Sequence, residues 1–250
     1  MDIRFLGTGT STGVPHIGCE CTVCTSSDKR DYRLRSSILV SENGRNVLID
    51  CGPDFRLQAL EAHIKHLDAV LITHEHYDHM WGMDDLRTLG DNHVYAEDRV
   101  LAVLQKNMPY CFGENKYPGS PTLHLHSLLP FQTYLIAGIQ VIPLRVMHAR
   151  LPILGYRLNN VAYITDMKTM DEEVLKYLEG LDVLVINALR HTQHPSHICL
   201  EEACEWAKRI GAKKTYFTHC SHDIGQYEAV EKALPENVYL AYDGLLLKNI

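Results

Sequence analysis

The sequence lacks the features that would place a protein in a membrane or send it through one. No stretch approaches the run of about 18 apolar residues that a membrane-spanning helix needs. The N-terminal segment "MDIRFLGTGTSTG" is charged at Asp2 and Arg4 and has no apolar core of a signal peptide. We therefore expect a cytoplasmic protein that makes no membrane contact.

The chain also lacks a block of Lys and Arg that could hold a long polyanion. It carries 24 Lys and Arg against 31 Asp and Glu, which gives a net charge of -7. Such a surface repels extended nucleic acid, although a small anion can still bind at a local metal centre. The 250 residues, 46% of them hydrophobic and without a fixed repeat, predict a single domain over 1–250 with an α/β core.

Histidine and cysteine, in contrast, are plentiful. The 15 His outnumber the 7 Met and 5 Phe together, and there are 8 Cys. In a cytoplasmic protein we interpret Cys as metal ligands, catalytic thiols or small buried groups rather than disulfides. We predict that Cys51, Cys111, Cys199, Cys204 and Cys220 serve in packing.

Short apolar strands alternate with amphipathic helices along the chain. "DAVLIT" and "VAYITD" are typical of buried strands, and "SHICLEEACEWAKRIG" is typical of a helix that ends at Gly211. The stretch from Asn107 to Pro130 contains several Pro and Gly and is predicted to be irregular.

Four predicted strands end in His or Asp. "AVLIT" leads into the "HEHYDH" motif, and three further strands lead to His148, Asp166 and His219. Strand ends meet at one edge of an α/β sheet, which is where such folds carry their sites. The sequence therefore predicts a converging metal centre.

The spacing within "HEHYDH" suits two ions rather than one. Residues two apart in an extended segment point the same way, so His74 and His76 can bind one ion while Asp78 and His79 turn toward a second. Asp166 can bridge two ions that lie about 3.5 to 4 Å apart. A helical zinc-protease motif is excluded, because that motif requires a histidine where this chain has Asp78.

A second cluster, "GCECTVC", predicts a separate zinc site. Its three thiols at Cys19, Cys21 and Cys24 need a fourth ligand, and His222 is available three residues beyond His219. We predict a structural Zn²⁺ that folds a loop over 16–30. The alternatives are a redox pair of Cys21 and Cys24, or plain buried thiols.

The series "GTGTSTGVP", "LIDCGPD", "HEHYDH", "ITD" and "FTH" resembles the metallo-β-lactamase superfamily. The resemblance implies an αβ/βα four-layer sandwich of the metallo-β-lactamase type with a dinuclear site of Zn²⁺ or Mn²⁺. One cation would be held by three histidines and the other by a mixed set, with a carboxylate between them. The implied ligands are His74, His76 and His148 for the first ion, Asp78, His79 and His219 for the second, and Asp166 as the bridge.

Together with the thiol cluster, the series is similar to the PhnP-type phosphodiesterases, which open cyclic ribose phosphates. That resemblance implies a small phosphodiester substrate, attack by hydroxide formed at the metal pair, and a homodimer. A catalytic histidine is implied in "RHTQHPSH" and carried to His197, with His191 and His194 as neighbours left open, and Asp78 acts at the reaction centre. We predict Arg190 as a phosphate contact, or else a solvated arginine.

Two carboxylates are predicted to orient ligand imidazoles or to cap local turns. They are Asp50 after "VLI" and Asp243 after "LAY".

Two other functions stay open for this protein. The first is a tRNA 3′-processing endonuclease of the tRNase Z type, weakened by the acidic charge and by the lack of a basic arm. The second is a metal-binding or scaffold protein with a vestigial centre.

Overall fold

The computed structural model describes residues 1–113 and 116–250. Within these residues the strands form two seven-stranded sheets. In spatial order, the first sheet contains β14 (Leu246–Leu247), β1 (Asp2–Gly7), β2 (Ser37–Glu42), β3 (Arg45–Ile49), β4 (Ala69–Leu71), β5 (Asp91–Ala96) and β6 (Thr122–Ser127). The run from β3 to β6 is parallel, and β1 to β3 are antiparallel.

The second sheet is also mixed. In spatial order it contains β13 (Val238–Leu240), β12 (Lys214–Thr218), β11 (Val183–Asn187), β10 (Val161–Ile164), β9 (Leu151–Leu158), β8 (Ile139–His148) and β7 (Tyr134–Ile136). Strands β10 to β13 are parallel, whereas β7 to β10 are antiparallel. Strands β4, β10 and β11 are buried along their whole length, as expected for sheet strands covered on both faces.

Helices cover the outer face of each sheet. They are α1 (Phe55–Glu61), α2 (Tyr77–Met80), α3 (Asp98–Asn107), α4 (Glu172–Leu175), α5 (Leu200–Ile210) and α6 (Tyr227–Ala233), with 3₁₀ turns at Lys29–Asp31, Met83–Thr88, Pro109–Cys111 and His222–Ile224. Apolar side chains of α1 and α3 pack on the first sheet, and those of α4, α5 and α6 pack on the second. A third apolar cluster fills the space between the sheets. The predicted αβ/βα four-layer sandwich is confirmed.

One local prediction was wrong. The stretch from Asn107 to Pro130 was predicted to be irregular, but it contains β6, which pairs in parallel with β5 over Thr122–Ser127. Its alternating sequence "TLHLHS" carries the strand signal, and the Pro and Gly before it hid that signal. Residues 114 and 115 of this stretch lie outside the described residues. No helix in the described parts of the chain combines the length and the apolar character required to cross a bilayer.

Candidate metal centre

The "HEHYDH" motif lies where the first sheet ends and α2 begins. Strand β4 stops at Leu71, the chain runs on extended through His74 and His76, and α2 begins at Tyr77. Two motif residues, Asp78 and His79, therefore lie in the first turn of a helix and are buried. Gly52 allows this turn to approach the first sheet, since a Cβ at Gly52 would lie 2.0 Å from the carbonyl oxygen of Asp78.

Four buried side chains converge into one group: Asp78, His79, Asp166 and His219, each offering one ligand atom within 4.8 Å of the others. His79 Nε2 lies 3.1 Å from Asp78 Oδ2 and 3.1 Å from Asp166 Oδ2. His219 Nε2 lies 3.1 Å from Asp166 Oδ1 and 3.4 Å from Asp78 Oδ2. Each carboxylate thus lies between the same two imidazoles.

Three further histidines lie beside this group. The ring centroids of His74 and His76 are 4.5 Å apart, and those of His76 and His148 are 5.1 Å apart. His74 and His148 are 5.8 Å apart. His148 and Asp166 also belong to a second group of close ligand atoms, so Asp166 lies next to both sets of histidines.

The backbone at the strand ends is held in an unusual conformation. Asp50, Asp166 and His219 each follow the end of a strand, and their φ angles are 62°, 57° and 56°. Left-handed backbone costs about 1–3 kcal/mol for a residue other than glycine and persists where the surrounding fold imposes it, often at functional sites. These angles turn the side chains of the three residues out of the sheets.

The donor set fits divalent cations. The Nε2 atom of His74 is buried and has no hydrogen-bond partner among the described residues, and the buried Nε2 atom of His79 faces the carboxylates of Asp78 and Asp166. An unpaired buried polar atom costs free energy, and a bound cation would remove that cost. Nitrogen and carboxylate donors in this combination suit Zn²⁺ or Mn²⁺.

The pKa shifts within the cluster also favour a bound cation. Burial lowers the pKa of His74 well below its ordinary value; at His76, an exposed residue, partial desolvation of the ring and the charge of His148 lower the pKa, so both rings are neutral. At Asp166, burial raises the pKa, but the charges of His219 and His79 outweigh it and hold the carboxylate ionised. At His79, the nearby carboxylates overcome burial and raise the pKa well above its ordinary value, because they attract a positive charge to this position.

Neighbouring groups fix the orientation of several imidazoles. Asp50 Oδ2 lies 2.7 Å from His79 Nδ1, as predicted for an orienting carboxylate. Asp50 Oδ1 accepts hydrogen bonds from the backbone N–H of Thr73 at 2.8 Å and from its hydroxyl at 3.0 Å. The same hydroxyl lies 3.0 Å from His74 Nδ1. Thr73 was not identified from the sequence, although its place directly before "HEHYDH" was a usable signal.

His148 is oriented by backbone carbonyls instead of a carboxylate. Its Nδ1 donates to the carbonyl oxygens of Asp166 and Ser196, each at 2.9 Å. In His74, His79 and His148, the Nδ1 atom is thereby engaged with protein. Nε2 is left in each ring as the nitrogen available to a cation.

Asp243 does not orient a ligand imidazole. It accepts from the Thr8 hydroxyl at 2.7 Å and from the Leu34 backbone N–H at 2.6 Å. Asp243 therefore links its own segment to two segments near the N-terminus, which differs from both predicted roles, the orientation of an imidazole and the capping of a local turn. Burial raises the pKa of its carboxyl to about 7.

Of the three candidate catalytic histidines, His197 lies against the cluster. It is buried, its Nδ1 lies 3.6 Å from Asp166 Oδ1, and its ring centroid is 4.6 Å from that of His148. His194 is half-buried with its ring 5.2 Å from His197, whereas His191 is exposed. Burial lowers the pKa of His197 to about 3.

Arg190 is half-buried and anchors its own loop. Its Nε donates to the carbonyl oxygen of Thr192 at 3.3 Å, and its Nη2 donates to that of Gln193 at 3.0 Å. These two bonds hold the guanidinium at the start of the loop that carries His194 and His197. The phosphate contact of Arg190 stays a prediction.

The thiol cluster comes together as the spacing predicts. Cys19, Cys21, Cys24 and His222 place their Sγ and imidazole nitrogen atoms within 4.8 Å of one another. His222 Nδ1 lies 3.3 Å from Cys19 Sγ and 3.4 Å from Cys21 Sγ. Tetrahedral zinc with bonds of about 2.3 Å to sulfur and 2.0 Å to nitrogen needs a separation of about 3.5 Å.

Charge also supports a cation at the thiol cluster. Hydrogen bonds from the backbone N–H of Cys24 and from His222 lower the pKa of the Cys21 thiol to about 6. Burial raises the pKa of Cys24 to about 11, so this thiol needs an added positive charge to ionise. Among the thiols predicted to serve in packing, Cys204 is half-buried and the other four are buried.

Comparison with known proteins places the chain in a family. A family model described as the beta-lactamase superfamily domain matches residues 45–220. The matched segment begins in β3 and ends just after His219, so it contains every candidate ligand of the catalytic cluster. This chain belongs to the metallo-β-lactamase superfamily.

Within the superfamily, one solved structure is a new diphosphatase from the PhnP family. It shares 40% sequence identity with this chain, covers 98% of it and is itself covered to 96%, with a TM-score of 0.92. The chain is therefore also a member of the PhnP family. The short form of human tRNase Z matches with a TM-score of 0.73 over 99% of both chains, but at 20% identity it shows the shared fold alone.

A curated relative is longer than this chain. An octanoyltransferase of Porphyromonas gingivalis is 45% identical over an alignment of 250 positions, which covers 98% of this chain and 51% of that protein. The coenzyme PQQ synthesis protein B of Methylorubrum extorquens is 33% identical over 122 residues, which make up 40% of its length. The metallo-β-lactamase chain described here thus spans about half the length, or less, of the curated relatives that it matches.

Proposed function

We propose that this chain is a metal-dependent phosphodiesterase that hydrolyses a small phosphodiester, with a cyclic ribose phosphate as the leading substrate. The observation that carries the proposal is the cluster of imidazoles and carboxylates, with the buried Nε2 of His74 unpaired among the described residues, in a chain of the PhnP family. The proposal takes residues 1–250 to form a single hydrolase domain. A cytoplasmic location and a homodimer stay predictions from the sequence.

Two sets of residues would hold two cations, Zn²⁺ or Mn²⁺. When bound, such a pair lowers the pKa of water to near neutrality and stabilises negative charge on phosphoryl oxygens. Asp78, assigned to the second set, would place its charge at the reaction centre. The proposed sets are His74, His76 and His148 for one cation and Asp78, His79 and His219 for the other, with Asp166 shared between them.

We assign His197 the transfer of a proton to the leaving oxygen. Its position beside Asp166 and His148 supports this role. Burial keeps the ring neutral, with a pKa of about 3, even though the Asp166 carboxylate lies beside it. An anionic phosphodiester would raise that pKa, because a negative charge favours the protonated ring. Proton transfer of this kind contributes about 10² to 10⁴ in rate.

Arg190 is proposed to contact the substrate phosphate from the loop that carries His197. Its guanidinium is tied to that loop through Nε and Nη2, which leaves Nη1 as the donor for an anion. A small substrate suits this arrangement better than a polymer. The net charge of -7 also disfavours a long nucleic acid.

Hydrolysis of a diphosphate bridge is a second candidate. The PhnP-family structure at 40% identity is described as a diphosphatase. Each phosphorus of a diphosphate diester carries two bridging oxygens, as in a phosphodiester, so the same cluster could act on it. The leaving group of a diphosphate is a phosphate, and its departure depends less on protonation than the departure of a sugar alkoxide does.

The test is a substrate panel measured with wild type and His197→Ala. The panel contains a cyclic ribose phosphate, a dinucleoside diphosphate, an aryl phosphodiester, a pre-tRNA and an octanoyl thioester. We expect the cyclic phosphate to be the best substrate by kcat/KM. For this alkoxide leaving group, His197→Ala should lower kcat/KM about 10²- to 10⁴-fold. For the aryl ester, the same variant should lower kcat/KM about tenfold or less.

The other outcomes each contradict part of the proposal. Preference for the dinucleoside diphosphate would favour the second candidate, and preference for pre-tRNA would favour the tRNase Z alternative. Hydrolysis of the thioester alone would relate the chain to the acyl chemistry of its longer relative. An equal loss in His197→Ala for all leaving groups would remove the proton-transfer role. No turnover of any panel member by the metal-loaded protein would favour the vestigial centre.

A further inference from the structure

Three histidines outside the catalytic and thiol clusters lie together on the first sheet. His93 belongs to β5, and His124 and His126 belong to β6. The parallel register places His93 opposite His124 and places Tyr95 opposite His126. Alternate residues of a strand share one face, so the three imidazoles project from the same side of the sheet. Strand β6 is the last strand in the order of this sheet.

The three imidazole rings are stacked, and one nitrogen of His93 lies close to one nitrogen of His126. The His93 ring lies 5.0 Å from the His124 ring and 5.1 Å from the His126 ring, with interplanar angles of 26° and 28°. His93 Nδ1 lies 2.9 Å from His126 Nε2. His93 and His124 are exposed and His126 is half-buried, so a small ion can reach them from solvent.

The separation of these nitrogens is compatible with one coordination geometry better than with another. Two nitrogens that each lie about 2.1 Å from one ion subtend about 90° when they are 2.9 Å apart. Tetrahedral coordination would need about 3.4 Å between them. An angle of 90° is that of adjacent ligands in square-planar or octahedral sites, which Cu²⁺ and Ni²⁺ adopt.

We propose that His93 and His126, called here the edge histidine pair, bind a divalent transition-metal ion with a preference for Cu²⁺. Without the ion, the same separation suits a hydrogen bond between the two rings. With the ion, both nitrogens act as ligands, and β5 is linked to the outermost strand β6. The proposal does not depend on the phosphodiesterase activity.

The surroundings favour neutral ligands and a bound cation. Burial, together with the charges of His93 and His124, lowers the pKa of His126, so this ring is neutral at pH 7. Asp91 adds negative charge, with its Oδ2 3.9 Å from His124 Nε2. The ammonium of Lys116 is engaged with the Thr122 hydroxyl at 2.9 Å, near the start of β6.

The experiment adds one equivalent of Cu²⁺ to the full chain after its catalytic and thiol clusters have been loaded with zinc. Electron paramagnetic resonance should show one bound Cu²⁺ with hyperfine coupling to imidazole nitrogen, and the zinc content should not change. In His93→Gln and His126→Gln, binding should weaken at least tenfold. His66→Gln is the matched control, because His66 is also exposed and its Nε2 lies 3.6 Å from Asp68 Oδ2. This variant should bind Cu²⁺ as wild type does.

Two results would overturn the edge site: Cu²⁺ that enters only as zinc is released, or equal Cu²⁺ binding in wild type and both edge variants. Thermal unfolding of each variant checks that its fold is intact. If a variant fails to fold, wild type alone still decides the question through chemical modification. Bound Cu²⁺ should protect His93 and His126, but not His66, from an acylating reagent for histidine, and equal modification of all three would reject the site.

Discussion

The two candidate metal-ligand clusters of this chain are built in opposite ways. The thiol cluster takes three of its four ligands from six consecutive residues of one loop. The catalytic cluster takes its ligands from the last residue of β8 and from segments that follow β4, β10 and β12, and these strands belong to two different sheets. Only the complete sandwich brings those segments together, whereas the loop has little regular structure to hold its thiols in place.

The difference indicates which cluster depends on its metal for folding. A loop with a small apolar cluster of its own would gain its order from the proposed zinc ion, so binding there would be coupled to folding. The catalytic ligands are held by buried strands and by hydrogen bonds such as that between Asp50 and His79. Loss of the catalytic cations should therefore affect activity far more than stability, and loss of the loop zinc should do the reverse.

The largest expected effect is that of His76→Ala. His76 is exposed at the mouth of the cluster, so its removal should leave the fold intact while one catalytic cation is lost. Activity toward an aryl phosphodiester should fall at least about 10³-fold, because the cation supplies several kcal/mol of transition-state stabilisation. Metal analysis should show that the thiol-bound zinc is retained. His66→Ala, at an exposed histidine outside both clusters, should behave as wild type, and full activity in His76→Ala would contradict the ligand assignment.

The next effect is on stability, in Cys21→Ser. This variant should lose one zinc, and its free energy of unfolding should fall by about 4 kcal/mol when zinc is about a thousandfold above its Kd. The catalytic cations should stay bound, since their ligands lie elsewhere. Chemical denaturation and zinc analysis measure both quantities. The half-buried Cys204 on α5 provides the control Cys204→Ser. An unchanged zinc content in Cys21→Ser would refute the structural site.

The smallest effect concerns pH and the segment that follows the zinc loop. Asp243 anchors Leu34 and Thr8, and burial raises its pKa to about 7, above the unfolded value of about 3.9. The folded state then binds more protons than the unfolded state between pH 4 and 7, so this group lowers stability as pH rises through that window. Asp243→Asn removes this loss.

The free energy of unfolding of wild type and Asp243→Asn, measured at pH 5 and pH 8, tests the linkage. Wild type should lose about 1–2 kcal/mol more than the variant between these values, less than a fully enclosed residue would give, because Asp243 as a whole residue keeps some contact with solvent. Asparagine keeps one oxygen as an acceptor, so the anchor itself is preserved. Parallel pH profiles for the two proteins would show that Asp243 titrates normally.

Much of the architecture was predictable because strand and helix patterns are local. The run "AVLIT" before His74 and the run "VAYIT" before Asp166 both formed buried strands with polar residues at their ends. The order of motifs along the chain then indicated the superfamily. Strand β6 was missed because Pro and Gly precede its alternating residues, and whether they break a strand depends on the neighbouring strand with which it pairs.

Supporting contacts were harder to predict than ligands. Asp50 and Asp243 each follow an apolar run, yet only Asp50 meets an imidazole. Thr73 carries no motif of its own, although it binds Asp50 and lies beside His74. Such contacts join residues far apart in sequence, and the spacing between them contains no information about their distance in space.

The sequence by itself determined the kinds of ligand, because the chemistry of an imidazole, carboxylate or thiol belongs to the side chain and local spacing decides which of them share a face. It also determined the thiol site almost entirely, since three ligands lie in one short segment. The tertiary structure alone decided that Asp166 lies between two sets of histidines, that His197 and not His191 meets them, and that His93 meets His126. These relations depend on how strands pair and how sheets pack, and those are set by the burial of apolar surface over the whole chain.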